Sequence, residues 1–241
     1  MVEKEKKKIT LTFDSATPWK AATVILGILL IVSIVTGGFS GSGSAGPVVR
    51  EDDAGDQPDL LQRADIDEDD DAVLGDAGAT VSIISCEDYQ CPFCKRAFEQ
   101  TFPQLKQSYI DAGKAKYIYR DFPLPFHTEA DEAANAAECA GDQNKYYEMH
   151  ELLFKNQEEW SNNPQAPLKF KTYAQELGLD RTRFDACLDS REHDAEIQND
   201  MSECQAAGTS GTPTFFINGQ KLVGAQPYTA FQAAIEKALE E

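Results

Sequence analysis

Positive charge is scarce in this chain. Its 241 residues hold 22 Lys and Arg against 41 Asp and Glu, a formal net charge of −19. No basic stripe relieves the deficit, and so acidic a surface repels phosphate, which excludes the electrostatic footprint of a nucleic-acid binder. Histidine is scarce too. His127, His150 and His193 are scattered and read as surface or helix residues without a catalytic role. There is no internal repeat. Only one charge-free apolar run is long, Ala21 to Phe39. No cysteine follows it closely, which argues against a lipoprotein signal.

The acidity is uneven. Between Arg50 and Asp76 stand twelve acids and two bases, a net −10, so the remainder is only moderately acidic. Residues 40–71 are Gly/Ser-rich, then Asp-rich, with little apolar content. They read as a solvated, self-repelling flexible linker. Ahead of them, residues 21–39 approach the ~20 apolar residues that cross a bilayer as a helix. Trp19 and Lys20 stand at its start, as interfacial anchors do. Lys4, Lys6, Lys7 and Lys8 make residues 1–20 a cytoplasmic stub by the positive-inside rule, with everything from Ser40 outside. A signal peptide cleaved near Gly43-Ser44-Ala45 is the competing reading. The run exceeds the usual signal core of roughly 7–15 residues, so an uncleaved signal-anchor is preferred.

Six cysteines are many for a cytosolic protein of this length, and their even number fits an oxidising compartment. Two of them form Cys91-Pro92-Phe93-Cys94, between an apolar strand-like run, Ala79 to Ser85, and a helix-like run that Pro103 should kink. A first cysteine at a helix N-terminus has its thiolate stabilised by unpaired N–H groups and the helix dipole. A second, one turn further in, can resolve a mixed disulfide at the first. Zinc sites use the same spacing. Downstream, Thr212-Pro213 opens a β-branched and aromatic run, and Asn218-Gly219 turns it back as a hairpin. Lys116 to Phe122 alternates as a second strand. Helical patterning then fills Thr128 to Ala207, and an amphipathic helix closes the chain.

The Cys91–Cys94 motif, Ala136-Ala137-Glu138-Cys139-Ala140 and Ser210-Gly211-Thr212-Pro213-Thr214 together resemble the DsbA-like branch of the thioredoxin superfamily, the membrane-anchored bacterial or archaeal thiol:disulfide oxidoreductases. The resemblance implies an α/β thioredoxin fold over residues 72–241: βαβ…ββα, a four-stranded mixed sheet, and an inserted helical domain at about 128–207. It implies Cys91 as nucleophile, Cys94 as its partner, Pro92 and Phe93 as the active-site dipeptide, and Thr212 with a cis Pro213 as the substrate-binding edge. It implies no cofactor and no metal. Its partners would be protein substrates with thiols or disulfides and a membrane or small-molecule reoxidant. The four other cysteines allow three pairings. The resemblance pairs Cys139 with Cys187, and the neighbouring strands it implies make Cys86–Cys204 feasible. The acid that many relatives carry six positions before the nucleophile is here Ser85. Glu87 and Asp88 are expected on an exposed loop. Extracytoplasmic disulfide formation is the function implied. Isomerisation or reduction, or a tethered metal-binding module without turnover, are the alternatives.

Overall fold

The computed structural model describes residues 63–68 and 71–241. The expected stub 1–20, anchor 21–39 and most of the linker 40–71 lie outside the described residues. Among those described, no helix is long and apolar enough to cross a membrane.

Among the described residues, five strands make one mixed sheet: β1 (Val73–Leu74), β2 (Val81–Glu87), β3 (Ala115–Asp121), β4 (Thr214–Ile217) and β5 (Gln220–Val223), in the order β1-β3-β2-β4-β5. β2 and β3 run parallel, joined by the crossover that a parallel pair requires, and every other pairing is antiparallel. The sheet therefore has one strand more than the four expected. β1 is two residues long, too short to carry a period-two signal, and exists because Val73 and Leu74 pair with Ile118 and Tyr117.

Side-chain alternation divides the sheet. Ile83, Tyr117, Tyr119, Phe215 and Ile217 face the larger core with α1 (Pro92–Gln100) and α9 (Tyr228–Leu239). Ile84, Cys86, Ile118 and Phe216 face a smaller core on the other side. The expected break near Pro103 is present as a change of helix type. α1 stops at Thr101, α2 (Phe102–Leu105) carries the proline in its first turn, and Lys106–Ile110 is π-helical. The inserted helices are α3 (Ala130–Gly141), α4 (Tyr146–Lys155), α5 (Gln157–Trp160), α6 (Ala166–Glu176), α7 (Arg181–Ser190) and α8 (Asp194–Ala206).

Two disulfides tie the insertion. Cys139 on α3 bonds Cys187 on α7, and Cys204 on α8 bonds Cys86 on β2. The second bond fixes α8 beneath the sheet. There Arg120, fully buried, pairs with Asp71, Asp200 and Glu203 and donates to the Asp67 carbonyl at 2.8 Å.

The linker boundary expected at residue 71 needs correction. Residues 63–68 lie on the sheet: Ala64 donates to the Gly219 carbonyl at 2.9 Å, Lys116 pairs with Glu68 at 2.6 Å, and Ala64 and Ile66 pack on the smaller core. Gly219 is required for this contact. Its φ is +81°, and a Cβ there would stand 2.8 Å from the Ala64 carbonyl oxygen. High local acidity concealed a segment held by two apolar side chains and by basic residues on the sheet.

Candidate active site

Cys91 is the N-cap of α1, in extended conformation, and Pro92 occupies the first turn, where its missing N–H costs nothing. The loop before it is fastened from several sides. Gln157 of α5 donates to the Tyr89 and Cys91 carbonyls at 2.6 and 3.2 Å. Gln90 and Glu129 exchange hydrogen bonds at 3.0 and 2.9 Å. Tyr89 stacks on Tyr119 with ring centroids 4.8 Å apart and meets His150 Nδ1 through its hydroxyl at 3.2 Å.

The two sulfurs occupy unequal environments. Cys91 Sγ lies 3.6 Å from the Thr212 carbonyl oxygen, the residue before the cis Thr212–Pro213 bond. As a thiol, Cys91 donates to that carbonyl. As a thiolate it draws on the Cys94 thiol first, then on Thr212 and the backbone N–H groups of Cys94 and Phe93, and its pKa falls to about 6 against the opposing effect of burial. Thr212 Oγ1 is buried with no other hydrogen-bond partner among the described residues, which leaves it free for the thiolate. Cys94 is fully buried. Burial, the hydrogen bond it gives Cys91 and the nearby Glu87 charge push its pKa well up, with only the Asp88 N–H at 3.5 Å opposing. Phe93 is 53% exposed beside the pair, with the Arg96 guanidinium 5.0 Å above its ring.

Glu87 and Asp88 are not on an exposed loop. β2 continues two residues past the expected end, pairing Glu87 with Asp121, so Glu87 shares the core-facing side with Ile83 and Ser85. It is 3% exposed and accepts from the Tyr117 hydroxyl at 2.6 Å. Burial raises its pKa to about 7, partly offset by hydrogen bonds from Tyr117, Ser85 and Cys94. The buried acid thus stands two residues nearer the nucleophile than the position that Ser85 fills. The alternation Ile83-Ser85-Glu87 was the available signal, hidden because the apolar run stops at Ser85.

Asp88 is a strap. One carboxylate oxygen accepts from the Gln90 N–H at 2.7 Å; the other accepts from the Leu124 N–H at 2.8 Å and meets His127 Nδ1 at 2.7 Å. It holds the loop after β3 against the active-site loop and carries Phe126, which is 71% exposed. Of the histidines expected as surface or helix residues, His150 does lie on helix α4, but it and His127 are packed against neighbouring groups. His127 is tied to Asp88, and His150 is buried, with burial lowering its pKa to about 3.

Sequence and structure comparisons agree with this geometry. Residues 67–237 match the thioredoxin family, and the chain belongs to it, in the DsbA-like branch. It is 33% identical over 180 residues to a Rickettsia bellii protein named as a protein-disulfide oxidoreductase, covering 73% of this chain and 67% of that one. It is 36% identical over 174 residues to Na(+)/H(+) antiporter NhaA 1 of Salinispora arenicola. That match spans 72% of this chain and only 25% of the antiporter, so the transport named there belongs to a protein of which the matched stretch is a quarter. Among solved structures it resembles Wolbachia pipientis α-DsbA1, with TM-score 0.65, 26% identity, and coverage of 73% of this chain and 94% of that one. Oxidised BdbD of Bacillus subtilis gives TM-score 0.65, 25% identity, and coverage of 71% and 94%.

Proposed function

We propose that the protein exchanges thiols and disulfides with protein substrates outside the cytoplasm, in the oxidising direction, anchored by residues 21–39. One observation carries the reading: Cys91 favours the thiolate and faces the Thr212–Pro213 edge, while its partner Cys94 is buried beside a carboxyl titrating near neutrality. In the oxidised enzyme a substrate thiolate attacks Cys91 Sγ and the Cys91–Cys94 bond breaks. The electron pair leaves on Cys94, whose high pKa makes it take a proton, and Glu87 is the buried acid that supplies it. A second substrate thiolate attacks the substrate sulfur of the mixed disulfide, and Cys91 departs as a thiolate. The substrate gains a disulfide and the enzyme gains two electrons, which a reoxidant must remove, while Glu87 is left as a carboxylate that recovers its proton from solvent. Stabilising the Cys91 thiolate stabilises the reduced enzyme, which makes the disulfide the oxidising member of the couple. The Thr212 backbone supplies strand-like pairing for an extended substrate.

Two features support the location: two disulfides outside the redox pair, and the apolar run with its lysine-rich flank. A reading of Cys91 and Cys94 as half of a metal site has less support, since no group of three metal-ligating side chains among the described residues includes either sulfur. Equilibration in glutathione buffers tests the direction. A thiol of this pKa places the potential roughly between −270 and −120 mV, above that of thioredoxin. A value at or below that of thioredoxin overturns the oxidising assignment. Carbonate extraction with protease protection of intact cells tests the anchor and its orientation.

A further inference from the structure

A second set of metal-ligating atoms gathers at one edge of the helical insertion, away from the redox pair. Cys139 lies in the last turn of α3, Cys187 in the last turn of α7, and His193 caps the start of α8. The two sulfurs and a ring nitrogen of His193 all lie within 4.8 Å of one another. Asp142, the C-cap of α3, adds a carboxylate whose Oδ2 is 3.3 Å from His193 Nε2 and 3.9 Å from Cys187 Sγ. The placement is built into the fold. Arg191 takes a left-handed φ of 52° that ends α7 and turns the chain back into α8. Asn135, fully buried, accepts from the His193 N–H at 3.4 Å and donates to the Leu188 carbonyl at 3.4 Å, locking that turn onto α3. Arg191 is engaged by Asp194 and Glu132, so the turn's own cation is directed to other acids.

We propose that reduction of the Cys139–Cys187 disulfide converts this cluster into a zinc site, with Cys139, Cys187, His193 and Asp142 as its four ligands. Two thiolates, an imidazole and a carboxylate are donors that zinc accepts in tetrahedral geometry, and a metal–sulfur distance near 2.3 Å puts neighbouring donors roughly 3.5–3.8 Å apart. The Asp142 contacts already have about that spacing. The sulfurs must separate from bonding distance, and with Cα atoms 5.9 Å apart they reach it by rotation about Cα–Cβ. The redox step needs a dithiol. One of its thiolates attacks a sulfur of the pair to form a mixed disulfide; its second thiolate releases the remaining thiol. The dithiol ends as a cyclic disulfide, having given two electrons, and Cys139 and Cys187 end as thiols. Zinc(II) then displaces both thiol protons. Two thiolates and one carboxylate bring the site to a net charge of −1 with the imidazole neutral. The metal replaces the covalent tie between α3 and α7, so the insertion stays closed in both redox states.

The test uses the full chain carrying Cys91→Ser and Cys94→Ser, which removes the redox pair, while the Cys187→Ser variant below controls for thiols released from Cys86–Cys204. The protein is reduced with dithiothreitol, freed of reductant without oxygen, and titrated with cobalt(II) and then zinc(II). One cobalt per chain is expected, with sulfur-to-cobalt charge-transfer absorption and the intense visible bands of tetrahedral coordination, both erased by zinc. The oxidised protein should bind none. Adding Cys187→Ser should abolish the charge-transfer pair, and His193→Ala or Asp142→Asn should weaken binding at least tenfold and shift the visible bands. His193→Asn serves if the alanine variant does not fold when oxidised. The proposal is overturned if reduced, folded protein binds no cobalt or if binding is indifferent to Cys187, His193 and Asp142. It is equally overturned if the disulfide opens only on unfolding, since the site then never exists in the native protein.

Discussion

At the scale of single residues, the chemistry divides between two sulfurs and one carboxyl. Because Cys91 titrates near 6, its alkylation by iodoacetamide in the reduced protein should rise through a midpoint near pH 6 and be flat above pH 8, while Cys94 stays unreactive throughout. A single midpoint near the free-thiol value, ~8.5, would contradict the assigned nucleophile. Glu87 gives a second pH signature. It holds its proton to about 7 in the folded state against 4.5 for the free group. Between those values the folded state binds more protons than the unfolded one, so stability falls as pH rises through this window and is level above it. The size is about 3 kcal/mol. In the reduced protein the Cys91 thiolate, whose depressed pKa adds stability above about pH 6, opposes this decline. Urea unfolding at pH 4.5 and 8 is therefore read in the Cys91→Ser variant, where the decline should appear and adding Glu87→Gln should reduce it. The same substitution should slow the step in which Cys94 gains or loses its proton, because the carboxyl beside that sulfur is gone.

At the scale of elements, the active-site loop depends on partners drawn from other parts of the fold. Asp88→Ala leaves the Gln90 and Leu124 N–H groups without an acceptor in a buried setting, at a cost of about 1–3 kcal/mol for each donor stranded. We expect a lower melting temperature together with faster amide hydrogen exchange at Gln90 and Leu124. Unchanged exchange at those two amides would remove the strap from the account. The Cys139–Cys187 bond spans 48 residues. Closing a loop of that length is worth roughly 4 kcal/mol in the chain-entropy description. The double variant to alanine should melt lower yet keep its thiol exchange, since neither sulfur belongs to the redox pair. In graded dithiothreitol, mass mapping should show Cys91–Cys94 opening first, because the Cys91 thiolate is stabilised and the structural bonds are buried. Much of the element level was legible in the sequence. The alternation of Lys116 to Phe122 and the helical spacing in the insertion mark β3 and α4 to within a residue or two. β1 was not, because two residues carry no period, and the end of β2 was not, because the polar pair Glu87-Asp88 reads as a turn.

At the scale of the whole molecule, the decisive interaction is the buried Arg120 cluster and the segment laid over it. A chain beginning at residue 72 loses Asp71, the Asp67 carbonyl and the cover of Ala64 and Ile66, while Asp200 and Glu203 remain. Removing some of the partners of a buried charge should cost roughly 3 kcal/mol, on the order of 10 °C in Tm for a domain of this size. A chain beginning at residue 58 should show no such loss. Equal melting of the two would restore the later boundary. What the sequence alone determined is the chemistry that depends on local order. Cys91 and Cys94 sit one helical turn apart behind a strand, Pro92 suits the first turn, and Thr212-Pro213 begins a strand closed by Asn218-Gly219. These are near-neighbour relations, written in spacing. Tertiary structure decided which groups meet across the fold. It brought Glu87 to Cys94, Asp88 to His127, Thr212 to Cys91 and residues 63–68 to Arg120. Those contacts join segments that are far apart in the chain or whose facing is set by strand register, and burial against the sheet, which no local pattern encodes, gave each of them its electrostatic character.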